Sequence, residues 1–173
     1  SHAVETVFEF VMERLRGYYL DQGVRPDTFE AVLDCRPTRP LDFDRRVRAV
    51  GAFRELPEAA SLAAANKRIR NILKKVETVL PFEVQPDLLV EDAEQALAGR
   101  LVEFSSEVIP LMEAGLYGDA LSRLAGLREP VDAFFDQVLV MAEDPALRAN
   151  RLALLNELGS LFLRVADFSR LQD

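Results

Sequence analysis

The chain has 173 residues, of which 49% are hydrophobic and 29% are charged, with 29 acids against 21 bases and a net charge of −8. This length and apolar fraction allow one domain with a sizeable core and a short additional segment. A single cysteine, Cys35, excludes an internal disulfide, and a single histidine, His2, excludes the common zinc sites and histidine-activated nucleophiles. No apolar run approaches the ~20 residues of a membrane span, so we expect a soluble cytoplasmic protein without a membrane partner.

The amino-terminal segment reads as helical after its first residues. Ser1-His2-Ala3 fits a remnant of a cleaved tag as well as a native sequence, and we leave both open. A 3.6-residue apolar period predicts a helix over Val4–Leu20, closed by Gly23. One stripe of this helix carries Val7, Phe8, Val11, Leu15 and Tyr18.

A proline-rich stretch marks the expected domain boundary. Pro26 is placed to begin a short helix that ends before Pro37. Two prolines within Arg36–Pro40 then predict a linker. We therefore divide the chain into a helical extension over 1–40 and a helical bundle over 41–173.

The next two predicted helices carry most of the basic residues. Asp42 is a plausible N-cap for a helix that ends near Leu56. A second, more regular helix begins at Pro57 or Ser61 and ends before Pro81. Its apolar stripe contains Leu62, Ala65, Ile69, Ile72, Leu73, Val76 and Leu80. On the face opposite that stripe lie Lys67, Asn71 and Lys74, with Lys75 at its flank.

The remaining elements complete an all-α fold of about eight helices. We expect a long helix from Asp87 or Asp92 to Glu113 and a short helix over Asp119–Ala125. Arg128 begins a further helix whose inward residues are Val131, Phe134, Phe135, Val138 and Met141. Asp144-Pro145 is a strong start signal for a final helix to about Leu171.

Charge is distributed unevenly along the chain. Residues 36–75 contain eleven bases and four acids, whereas residues 76–147 contain fifteen acids and three bases. The basic part is able to contact a polyanion while the acidic part restricts how it docks. Charge alone fits equally a chain whose charged helix faces are merely solvated.

No catalytic centre is evident, and we predict neither a catalytic residue nor a metal site. The glycines are isolated, so there is no phosphate-binding loop. Asp132 and Asp136 lie one helical turn apart, but such pairs on acidic helices are usually solvated. Cys35 lies beside arginines that would lower the pKa of its thiol, but it lacks a partner base.

Three stretches resemble the carboxy-terminal part of the β subunit of the bacterial heterotetrameric glycyl-tRNA synthetase family. The first includes Asp44–Val50, Ala64–Ile69 and Asn71–Lys75. The second runs over 127–136 and 140–144, and the third includes 146–155 and 165–169. Their order and separation are what make the resemblance specific.

The resemblance implies an all-helical anticodon-binding module of the DALR type over residues 41–173. Here Pro145 interrupts the Asp-Ala-Leu-Arg signature, although Asp144 still begins the helix. The family implies that the partners are glycine tRNA, the rest of the β subunit and the α subunit of a heterotetramer. It also implies that ATP and Mg²⁺ serve the α subunit, so that this chain needs no cofactor and whether it counts as an enzyme stays open.

The residues suited to RNA contact follow from their chemistry. Arginine and lysine side chains bind phosphates, and an amide offers both a donor and an acceptor to exposed base edges. The predicted tRNA-binding residues are Arg45, Arg46, Lys67, Asn71, Lys74, Lys75, Arg148, Asn150 and Arg151.

Several of these residue types suit more than one role. Arg148 is equally suited to an ion pair with Asp144, whereas for Asn66 we favour a hydrogen bond between helices over RNA contact. Aromatic side chains for base stacking are scarce, and each is also suited to the core; these are Phe43, Phe82, Tyr117 and Phe168. The alternative function is a helical module that docks subunits without RNA contact.

Overall fold

The computed structural model describes residues 1–81 and 83–172, and within them every regular element is helical. Eight α-helices occur, which confirms the all-α prediction. They are α1 His2–Asp21, α2 Pro26–Leu33, α3 Pro40–Arg54, α4 Ala59–Leu73, α5 Asp92–Glu113, α6 Tyr117–Leu124, α7 Arg128–Gln137 and α8 Pro145–Leu163. Three short 3₁₀ turns cover Pro86–Leu88, Ala125–Leu127 and Phe168–Arg170.

Prolines set the starts of three helices. Pro26 and Pro145 occupy the first turns of α2 and α8, as predicted, and the Asp144 carboxylate accepts hydrogen bonds from the amides of Ala146 and Leu147. The prediction that Asp42 caps α3 is wrong, because Pro40 already begins that helix. Asp42 instead lies in the first turn and accepts a hydrogen bond from the Tyr117 hydroxyl.

The helices α4, α7 and α8 end earlier than their apolar patterns predict, and α7 ends at Gln137. α4 ends at Leu73, and Val79 beyond it is fully exposed. β-branched residues and Pro81 follow, and both disfavour continuation of the helix. α8 ends at Leu163, because the next residues turn back so that the Asp167 amide donates to the Ala31 carbonyl at 2.8 Å.

Aromatic side chains fill much of the core. Phe53, Phe162 and Phe168 pack edge to face with ring centroids 5.2–6.5 Å apart. Phe43 and Tyr117 are also buried, so none of these rings is free to stack on a base. Phe82 lies outside the described residues.

The amino-terminal helices differ in how they join this core. In α2, Phe29 and Val32 are completely buried in the same cluster as Phe43. α1 packs on α2 through Met12 and Tyr19. Of its predicted stripe, Val7, Val11 and Tyr18 are exposed, whereas Phe8 and Leu15 are partly buried against the core. The division at residue 40 stays a prediction.

Candidate nucleic-acid interface

Ion pairs with acids neutralise five of the eleven bases in the basic segment over residues 36–75. Arg54 is the most buried of these bases, and its Nη1 lies 2.6 Å from the Asp27 carboxylate. The other ion pairs of the segment are Arg36–Glu5, Arg46–Asp42, Arg48–Asp44 and Arg70–Asp167. These five arginines therefore contribute little free charge.

The bases without an ion pair among the described residues concentrate at the end of α4. Lys67, Arg68, Lys74 and Lys75 are all exposed. The Arg68 guanidinium lies over the Phe135 ring, 4.4 Å from its centroid, which holds this cation in place. Arg39 and Arg45 are the corresponding exposed bases of α3.

A groove of about 650 Å³ lies beside this cationic end, between α4 and α8. We call it the α4–α8 groove. Its lining includes four predicted site residues, namely Lys67, Asn71, Lys75 and Arg148. Its apolar part is formed by Ala64, Ile72, Val76, Met141 and Leu152. A cationic rim over an apolar floor suits a polyanion that also presents flat apolar surfaces.

Two exposed residues of the predicted site lie away from this groove. Lys74 lines a second groove of about 410 Å³ on another side of α4, together with Asn156 and Ser160. Arg45 extends along the turn at Gly115, whose φ of +74° suits glycine. Lys67, Asn71 and Lys74 are all exposed, as predicted, but Lys74 lines the second groove whereas Lys67 and Asn71 line the first.

Asn71 is the candidate asparagine with an available amide. It is exposed and makes no side-chain hydrogen bond among the described residues. Asn66 is buried and donates to the Leu62 carbonyl of its own helix at 2.9 Å, rather than between helices. Asn150 is 1% exposed and bonds both main-chain groups of Gln85, at 2.7 and 3.1 Å.

Three predicted RNA-binding residues are internal structural contacts in this fold. Asn150 is one, for the reason just given. Arg151 is 4% exposed, with Nε 2.6 Å from Glu94 and Nη1 2.7 Å from the Leu139 carbonyl. Arg46 pairs with Asp42, donates to the carbonyls of Arg164 and Val165, and stacks on Tyr117. Sequence periodicity did not reveal these buried partners.

Arg148 has a mixed role. Its Nη1 donates to the Ala142 carbonyl at 3.0 Å, so the proposed pair with Asp144 does not form. The same side chain lines the α4–α8 groove. Arg148 thus fixes the 138–142 loop while its guanidinium borders the groove.

Sequence reasoning missed three groove residues. Met141 was predicted to face inward but is 57% exposed, because α7 ends at Gln137 and the loop turns the side chain outward. Arg68 and Glu77 were not selected, although both lie in the stretch that supplies the other groove residues. Their position in the same stretch of sequence as Lys67, Asn71 and Lys75 was the signal that would have identified them.

The described residues were also searched for a metal site and for a reactive thiol. No group of three or more potential metal-binding side chains occurs there. Burial raises the pKa of the Cys35 thiol, which outweighs the lowering effect of Arg46, and the thiol donates to the Leu163 carbonyl at 3.2 Å. None of the helices described is long and apolar enough to cross a membrane.

The residues on both sides of the groove lie within a domain that is similar to known proteins. The family model for the DALR anticodon binding domain matches residues 62–164, which include both sides of the groove. The glycine–tRNA ligase beta subunit of Aeromonas hydrophila is 59% identical over 169 residues, covering 98% of this chain and 24% of the relative. That of Glaesserella parasuis is 56% identical over 172 residues, covering 99% and 25%. The chain spans about a quarter of the length of these curated relatives.

Proposed function

We propose, from the premise that this chain belongs to the family of DALR anticodon-binding domains, that it binds glycine tRNA by its anticodon arm. The proposal extends to the larger assembly: the chain acts as a module of a glycine–tRNA ligase β subunit in the cytoplasm. There it positions the tRNA for aminoacylation by the α subunit. ATP and Mg²⁺ would serve that other subunit, and this chain would itself be non-catalytic.

The observation that carries the proposal is the unneutralised charge at the end of α4. Lys67 and Lys75 line a groove whose floor is apolar, and Arg148 borders it from α8. Phosphates need free cations, whereas unstacked anticodon bases need apolar surface and a polar group at the base edge. The lysines, the aliphatic side chains of the floor and the Asn71 amide supply these features in one place.

Salt dependence of tRNA binding tests this proposal. The affinity should fall steeply as salt rises, because each phosphate contact releases counterions. A Lys67→Ala, Lys75→Ala double variant should flatten the log–log slope by about two units, since each lysine accounts for about one. The measurement is a tRNA titration at several salt concentrations, with a melting curve to show that folding is unchanged.

A matched control uses bases outside the groove. Arg14 lies on α1 and Arg164 directly after α8, and both are exposed without an ion pair among the described residues. An Arg14→Ala, Arg164→Ala variant removes the same charge and should keep the wild-type slope. Equal flattening by both double variants would show that only total charge matters and would contradict a site at the groove.

The alternative function is subunit docking without RNA contact. One observation favours it, namely the exposed part of the α1 stripe, in which Val7 is 62% and Val11 is 43% exposed. A Val7→Asp, Val11→Asp variant should then weaken assembly with a purified α subunit. If assembly changes while wild-type tRNA affinity is negligible, docking replaces the RNA-binding proposal.

A further inference from the structure

One acid lies among the cations that line the α4–α8 groove. Glu77 follows the end of α4 and is the single carboxylate among the described lining residues. It is exposed, and none of the ion pairs of the described residues includes it. A carboxylate repels phosphate, so Glu77 would weaken RNA binding if the only role of the groove were to hold the RNA backbone.

An ionised carboxylate has a different use beside a nucleobase. It is an acceptor only, so it bonds an exocyclic amino group and opposes a carbonyl oxygen. Glutamate accepting from the cytosine amino group is a known form of base reading. Asn71, in the same groove, matches either kind of edge because its amide is both donor and acceptor.

We infer that Glu77 selects one anticodon base that carries an exocyclic amino group, against uracil. This inference rests on the proposed function, since it assigns a role at the same groove. The unstacked base would lie on the apolar floor, with Asn71 and Glu77 at its edge. Lys67 and Lys75 would contact the flanking phosphates.

Cytidine and uridine provide matched probes, because the two bases have nearly the same size and differ at the amino and carbonyl groups. Glycine tRNA transcripts are prepared in which each anticodon nucleotide is replaced in turn by cytidine and by uridine. The dissociation constants are measured with the wild-type chain. At one anticodon position, cytidine should bind roughly tenfold more tightly than uridine, as a good edge contact gives.

The Glu77→Gln variant is the decisive comparison. A glutamine amide accepts from the amino group or donates to the carbonyl, so the preference at that position should fall to below about twofold. The matched control is Glu113→Gln, which removes an exposed acid outside the groove and should keep the wild-type preference. A melting curve verifies that both variants fold.

The remaining outcomes distinguish a failure of this inference from a failure of the proposed function. If Glu77→Gln tightens binding of every transcript equally and leaves each preference unchanged, Glu77 only repels phosphate and the inference is overturned while the proposed function stands. The inference is likewise overturned if no position distinguishes cytidine from uridine. If the wild-type chain binds none of the transcripts, the proposed function fails and the inference fails with it.

Discussion

Two asparagines on the helices that border the groove have opposite surroundings. Asn71 leaves its amide exposed, whereas Asn150 uses its amide to bond the main chain of Gln85. Both are asparagines on helices with basic neighbours, so residue type did not distinguish them. What separates them is the loop over 83–88, which folds onto α8 and covers Asn150.

Replacing Asn150 by alanine should destabilise the fold. The change removes the partner of the main-chain N–H and of the main-chain carbonyl of Gln85. We expect this loss to lower the free energy of unfolding by about 1–3 kcal/mol. Asn71→Ala is the matched control and should change it by less than about 0.5 kcal/mol. Urea unfolding of both variants measures this, and equal losses would contradict the assigned surroundings.

Arg151 and Glu94 form a buried ion pair whose partners depend on each other. Arg151→Met leaves the Glu94 carboxylate, which is fully buried, without its cation, and should cost about 3–5 kcal/mol. Adding Glu94→Gln should recover part of the loss, because the unpaired charge is removed. Denaturant curves of the single and double variants test this. A double variant that loses the sum of the two single effects would argue against coupling.

Asp27 ties α2 to α3 and to the carboxy-terminal segment. Its carboxylate accepts hydrogen bonds from the Arg54 guanidinium at 2.6 Å and from the main-chain N–H of Gln172 at 2.8 Å. Burial alone would raise its pKa, but the hydrogen bonds from Arg54 and Gln172 outweigh burial, and the pKa lies below its ordinary value. Stabilisation by this carboxylate is therefore complete above the unfolded pKa of about 3.9 and is lost as pH falls through the folded pKa.

The Asp27→Asn variant should show this dependence. At pH 7 it should lower the free energy of unfolding by about 1–2 kcal/mol, since charged hydrogen bonds become neutral ones. The difference from wild type should shrink as the pH falls below about 3.9. Unfolding curves at pH 7 and at lower pH measure it, and a constant difference would show that the charge of Asp27 is not the cause.

Helix number and type were predictable, but helix ends depended on tertiary contacts. Pro26 and Asp144-Pro145 carry local start signals, and their predicted starts are confirmed. The end of α8 depends on the contact of Asp167 with Ala31, which is 136 residues away in the chain. The apolar pattern continues past Leu163 because the following residues are buried as a turn, and periodicity does not distinguish the two.

The candidate site was predictable only in part for a related reason. Lys67, Asn71 and Lys75 share a helix face, so their spacing was enough to bring them to one groove. Arg151 has the same chemistry but meets Glu94, which is 57 residues away in the chain. Arg46 pairs with Asp42 one helical turn earlier, and its other two partners are carbonyls that are 118 and 119 residues away. Charge counted along the sequence does not show which bases are neutralised by folding.

Across the whole molecule, folding converts a long basic segment into a small exposed cationic end. Five of its eleven bases pair with acids, and four of the others lie on or just after the end of α4. The net charge of −8 remains, so the rest of the surface repels nucleic acid. We expect this arrangement to orient an RNA toward the groove rather than to bind it broadly.

The proposed recognition of the glycine tRNA anticodon arm by this chain is tested most directly by a competition assay. Glycine tRNA competes with the same tRNA carrying a foreign anticodon, at one fixed salt concentration. We predict that exchanging the anticodon weakens binding at least roughly tenfold, as expected when base-edge contacts are lost. Equal affinity for the two tRNAs would contradict anticodon recognition by this chain.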